Sequence, residues 1–187
     1  PEVSPDPVTS PLTESFETWE NGTTEPLNGW VFSDADGMAQ KGRDNFNSNS
    51  KFAAMVIGNF SGNYSWDPSV TAYNGEKCLA MTPSYSYGGT TDNWIVSPMI
   101  KGGSEIRFFT RTSYSYSATN TFEILWSDGS IEPEGFQNLA SKIATNGDWA
   151  ECVYELPAAA KRFAIHFNGS MSGDALLFDA FSFTAMT

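Results

Sequence analysis

One histidine and two cysteines in 187 residues leave little room for the common catalytic and metal-binding chemistries. A Ser-His-Asp or Cys-His arrangement would have to use His166. That residue sits inside a strand-like run, with Ala164 and Asn168 on its own face, and the chain has no G-x-S-x-G elbow. A zinc site needs several His and Cys ligands, which are lacking. Glycine-rich phosphate loops are missing too. No apolar run reaches the length of roughly 18 residues needed to span a bilayer as a helix. Basic residues are few: ten Lys and Arg against 22 Asp and Glu, a formal net charge of −12, with Lys161-Arg162 the only adjacent basic pair. Binding to a nucleic acid relies on clustered cations that displace counterions from phosphates, so that class of partner is excluded. An acidic surface repels anionic lipid headgroups and attracts divalent cations such as calcium.

What is present points to one exported β-domain. Apolar residues make up 40% and aromatics 14% of the chain, enough for a sizeable core, while only 17% are charged. Residues 1–13, PEVSPDPVTSPLT, carry four prolines and few large apolar side chains, the composition of an extended linker. The compact domain is therefore expected over 14–187. The chain opens at Pro1 with no leader and reads as a mature or trimmed fragment.

From Glu14 onward the pattern is short runs of alternating polarity broken by Gly, Asn, Asp and Pro. Residues 106–111, 121–126, 162–167 and 176–183 read as strands, the second ended by the turn Ser127-Asp128-Gly129-Ser130. Phe163, Ile165 and Phe167 fall on one face, and period-two alternation puts Leu177, Asp179 and Phe181 opposite Phe178 and Ala180. Residues 136–144, FQNLASKIA, can form a short helical turn and, among so many strands, read as a connection. Strands of this length and spacing indicate an all-β jelly-roll sandwich of two antiparallel sheets. Cys78 and Cys152 read as buried thiols, though spacing alone leaves a disulfide open.

Three candidate features emerge. Asp34 and Asp36, in Ser33-Asp34-Ala35-Asp36-Gly37, sit two residues apart on a tight bend, an arrangement that can supply hard oxygens to calcium. Glu17 and Asp179 lie in strand-like runs where an unpartnered carboxylate is costly, and complete a candidate metal set of Glu17, Asp34, Asp36 and Asp179. Tyr64 and Trp66, with Tyr85, Tyr87, Tyr114 and Tyr116 of two SYSY segments, form candidate aromatic contacts for sugar rings or a protein partner. A cross-strand tyrosine ladder that only stabilises a sheet accounts for the SYSY pairs equally well.

Several segments, in order, resemble one family. They are Glu14-Ser15-Phe16-Glu17, Leu27-Asn28-Gly29-Trp30, Ser33-Asp34-Ala35-Asp36-Gly37, Thr91-Asp92-Asn93-Trp94-Ile95-Val96-Ser97-Pro98 and Leu177-Phe178-Asp179-Ala180-Phe181. Together they look like the cleaved-adhesin, or choice-of-anchor J, domains of bacterial surface proteins, including gingipain-type haemagglutinin-adhesin modules. The resemblance implies a jelly roll with structural calcium, acting outside the cell in adhesion or carbohydrate binding without catalysis. The partner would be a glycan or a host or matrix protein, the module a monomer, and its anchor would lie outside this fragment. The chain departs from the family pattern after Gly37, where Met38-Ala39-Gln40 replaces a further acid and a tryptophan. Two rival readings stay open: a glycan-active hydrolase using two carboxylates across a cleft, and a structural accessory domain of a surface assembly.

Overall fold

A computed structural model describes residues 9–39, 50–61, 69–83, 90–113, 119–169 and 175–186. Among the described residues eleven strands run in chain order: β1 (Thr9–Glu14), β2 (Val31–Asp34), β3 (Met55–Gly58), β4 (Lys77–Met81), β5 (Asn93–Val96), β6 (Glu105–Thr112), β7 (Asn120–Ser127), β8 (Gln137–Ala144), β9 (Ala150–Glu155), β10 (Arg162–Phe167) and β11 (Leu176–Met186). They form two sheets, one ordered β3-β4-β11-β6-β9 with β1 also on β11, the other β2-β5-β10-β7-β8. Their pairings are antiparallel. This is the expected jelly-roll sandwich.

Alternation sets the inner faces. Ile106 and Phe108 of β6, Phe122 and Ile124 of β7, and Phe163, Ile165 and Phe167 of β10 all point into one core between the sheets. A second cluster, with Met55, Ile57, Val70, Cys78, Ala80 and Leu177, covers the outer face of the six-stranded sheet. A third, with Trp94, Val96, Leu125 and Ala164, covers part of the outer face of the other. β4 and β5 are consequently buried on both faces, which is why neither shows clean alternation. Cys78 and Cys152 are free buried thiols in different clusters, Cys152 between the sheets and Cys78 outside them.

The structure corrects three sequence expectations. Residues 9–13 of the expected linker belong to β1, which pairs with β11 from Thr9↔Met186 to Glu14↔Phe181. Backbone pairing rather than burial holds this exposed strand, and Pro11 fits because β1 pairs on one side only. Residues 137–144 form strand β8, an edge partner of β7, and not a helical turn. Its helix-favouring Ala and Lys residues are overridden by the ladder that β7 offers. In β11 the alternation reverses. A β-bulge between Asp179 and Ser182 centres on Ala180, whose φ is 51°. The extra residue turns Phe181 to the same side as Phe178, their rings 6.2 Å apart in the inter-sheet core, while Leu177 and Asp179 remain outside.

The motif segments hold one another. Buried Glu14 accepts the Phe16 N–H (2.8 Å) and Trp19 Nε1–H (3.1 Å) at Oε1, and Asn28 Nδ2 (3.2 Å) at Oε2. Gly29 turns at φ 86°, and a Cβ there would meet Pro98 Cβ at 3.3 Å. Ser97 Oγ accepts the Phe163 N–H at 2.9 Å, tying β5 to β10.

Candidate functional site

Asp179 leaves β11 just before the bulge and is fully buried. Its carboxylate faces the segment 73–77 that enters β4. Oδ2 accepts the Asn74 N–H at 2.9 Å and Oδ1 accepts the Ala180 N–H at 2.7 Å, and the nearby Tyr73 amide also favours the ionised form. Burial nevertheless pushes this carboxyl up to about 6, with the nearby negative charge of Glu17 adding to the effect and the three amides opposing it. Glu17 grips the same segment from the other side. Its Oε1 accepts the Glu76 N–H at 3.0 Å and the Lys77 N–H at 2.9 Å. Two carboxylates from opposite ends of the chain thus clamp one loop by its backbone.

Gly75 is what lets the loop lie so close. Its φ is 71°, and a Cβ there would stand 2.4 Å from the Glu17 carboxyl carbon. Gly75→Ala is therefore expected to lower stability by about 1–3 kcal/mol, combining left-handed strain with the loss of amide-to-carboxylate bonds. A urea denaturation midpoint equal to that of the parent would remove the clamp from the stabilising contacts.

Asp34 and Asp36 stand elsewhere, at the end of β2. Asp34 Oδ1 accepts the Gly37 N–H at 3.0 Å, Asp36 Oδ1 accepts the Met38 N–H at 2.7 Å, and Asp36 Oδ2 accepts the Asp92 N–H at 2.8 Å. With its amide turned to satisfy both ends, Asn93 donates to Asp34 Oδ1 at 3.0 Å. Burial, followed by a hydrogen bond with Asp36, raises the Asp34 carboxyl above its usual range. This loop docks β2 onto the approach to β5. The four candidate metal residues are split between two places, and among the described residues no group of three His, Cys, Asp or Glu side chains is arranged to hold a metal ion. Tyr64, Trp66, Tyr85, Tyr87, Tyr114 and Tyr116 lie outside the described residues.

Two clusters escaped the sequence reading because each depends on strand register. On the outer face of the five-stranded sheet, His166 lies opposite Trp94 on one side and Glu123 on the other. Its ring stacks on Trp94 at 4.0 Å, Nδ1 meets Glu123 Oε2 at 3.0 Å, and Nε2 meets Asp92 Oδ1 at 2.7 Å. Both nitrogens are engaged by carboxylates, so neither is aimed at a hydroxyl or thiol nucleophile. An open cleft of about 440 Å³ adjoins this cluster, lined by Asp36, Met38, Thr90, Thr91, Asp92, His166 and Asn168. On the outer face of the other sheet, Tyr73, carried by the clamped loop, stacks on Phe109.

No protein-family model matches the sequence, and no curated protein is similar to it in sequence. Its fold has clear counterparts. The chain is similar to the K2 cleaved adhesin domain of Lys-gingipain, with a TM-score of 0.68 and 18% identity over 93% of this chain and 99% of that one. It is similar to the K1 domain from Porphyromonas gingivalis W83, with a TM-score of 0.66 and 19% identity over 94% and 98%. It is also similar to the K3 domain from the same organism, with a TM-score of 0.66 and 18% identity over 95% and 99%. At this identity the likeness is one of fold.

Proposed function

Taking the cleaved-adhesin fold as premise, we propose that the chain is a non-catalytic, extracellular adhesion or carbohydrate-binding module of a bacterial surface protein, stabilised by calcium. The observation that carries the reading is the match of the whole sandwich, over more than nine-tenths of each chain, to three domains named as adhesins. Supporting it, the sole histidine is held between Asp92 and Glu123, and among the described residues no helix is long and apolar enough to cross a membrane.

Calcium suits the clamp of Glu17 and Asp179. Both are hard oxygen donors, the hydrogen-bond partners of buried Asp179 are backbone amides, and Glu17 lies near enough to disfavour its ionisation. A divalent cation would relieve that repulsion, with backbone carbonyls and water completing a shell of six to eight oxygens. Asp34 and Asp36 would serve a separate site at the end of β2.

The test is binding of the labelled domain to a glycan array and to immobilised collagen and fibronectin, with calcium and with chelator. Reproducible binding to either surface supports the reading. Absence of binding to both, in calcium, would leave a structural accessory role and overturn it.

A further inference from the structure

Within the reading of this domain as a glycan-binding module, we infer that the open face of Tyr73, backed by Phe109 and flanked by the Arg107–Glu151 pair, is a stacking site for a sugar ring of a neutral glycan. Tyr73 is 48% exposed although it is part of an ordered aromatic stack. Its ring lies 3.7 Å from that of Phe109 at an interplanar angle of 12°, so one face is covered by a parallel ring and the other is free. Trp149 closes one edge at 6.3 Å and 65°, and is itself fixed by its Nε1–H donating to Thr71 O at 3.0 Å. The backbone beneath is held as well, since the amide of the next residue, Asn74, donates to Asp179 Oδ2 at 2.9 Å. The ring is therefore oriented before any ligand arrives, which removes much of the ordering cost of binding.

The surroundings select the chemistry. In the pairing of β6 with β9, Glu151 lies opposite Phe109, and Val153 lies opposite Arg107, so all four side chains share the outer face. Arg107 Nη1 and Glu151 Oε1 are 2.6 Å apart and each side chain is about half exposed (46% and 44%). Arg107 Nη2 also meets Glu105 Oε1 at 3.2 Å, so the group offers donors and acceptors to hydroxyl groups and carries a net negative charge that disfavours an anionic ligand. A neutral sugar, with an apolar C–H face for the tyrosine and hydroxyls for the pair, matches both features. An anionic polymer does not, given a chain of net charge −12. A protein partner is disfavoured by size. Stable interfaces cover about 800 Å² per partner around an apolar centre, whereas among the described residues Val153 is the one other exposed large apolar side chain on this pair of strands, and Leu12, Leu27, Ile131 and Ile143 belong to other segments.

The experiment is calorimetric titration of the intact chain with neutral β-1,4-linked gluco-, galacto- and xylo-oligosaccharides. Tyr73→Ala and Tyr73→Phe are run alongside, with circular dichroism and urea midpoints to verify folding. The expected result is binding by the parent, a loss of about tenfold or more in Tyr73→Ala, as for truncation of a central aromatic contact, and near-parental affinity in Tyr73→Phe. Arg107→Met, which keeps the packed stem, should also weaken binding. Equal affinity of parent and Tyr73→Ala overturns this site while leaving glycan binding intact. Binding to collagen or fibronectin but to no oligosaccharide overturns the sugar assignment and leaves adhesion standing. Failure to bind either class overturns both.

Discussion

Replacing Phe181 by alanine is expected to lower the free energy of unfolding by about 3–5 kcal/mol, read as a shift in the urea midpoint at unchanged slope. Phe181 is fully buried and is a hub of the aromatic core. Its ring centroid lies 5.1 Å from Phe108, 5.2 Å from Trp30, and 6.1 Å from both Phe16 and Phe163. Those rings come from both sheets and from the first turn of the domain, so the cavity left by the deletion cannot close by moving one element. Since single domains are stable by only about 5–15 kcal/mol, the variant should sit near the edge of folding, with its melting temperature lowered by roughly 6–20 °C. The outcome also tests the bulge. Were Phe181 on the outer face, as strict alternation requires, the cost would be that of a surface change, about 0.5 kcal/mol or less.

Asp179 yields the second large effect, through a difference between conditions. Burial raises its carboxyl to about 6 in the folded chain, so the folded state binds a proton more tightly than the unfolded state does. Between pH of about 4 and about 6 the unfolded chain therefore holds fewer protons at this group, and stability falls as pH rises through that window. In chelator, the parent should lose stability relative to Asp179→Asn over that interval, since the amide cannot ionise. Calcium reverses the comparison at neutral pH. At a calcium concentration about a hundredfold above the dissociation constant, the parent should gain about 2.7 kcal/mol, or roughly 5–10 °C. Asp179→Ala and Asp179→Asn should show little gain. Asp179→Ala should also melt below the parent in calcium, having lost the acceptor for the Asn74 and Ala180 amides. An unchanged calcium response in both variants would remove Asp179 as a ligand, and a flat parent-minus-Asn difference across the pH window would remove the buried ionisation.

Much of this could be read from residues alone. The alternation in β10 put Phe163, Ile165 and Phe167 on one face, and all three are buried between the sheets. The ordered motifs were legible as a resemblance, and the structure supplies their physical basis: Glu14 bonds Asn28, Gly29 packs on Pro98, and Asp36 accepts the Asp92 amide. Edge strands were the weak point. β1 is exposed along nearly all its length and β8 is built of residues that suit a helix, so neither carries a hydrophobic period that identifies it. The candidate site was half legible. Asp179 stood out as an acid in a strand, whereas Glu17, also read as lying in a strand, is exposed in the turn after β1, and their common partner, the backbone of 73–77, has no side-chain signature. Tyr73 looked like one aromatic among many until Phe109 was placed beneath it.

Two antiparallel layers, their aromatic inner faces, a surface poor in cations and the lack of the common catalytic ensembles were all legible in the residues. These follow from period-two alternation and from composition, which are properties of neighbouring residues. The inward turn of Phe181, the separation of Asp34 and Asp36 from Glu17 and Asp179, and the exposed ring of Tyr73 emerge only in the folded chain. Each of those depends on one inserted residue in a ladder or on contacts between residues distant in the chain. No local pattern encodes them, because backbone amides and strand register are set by the partner strand.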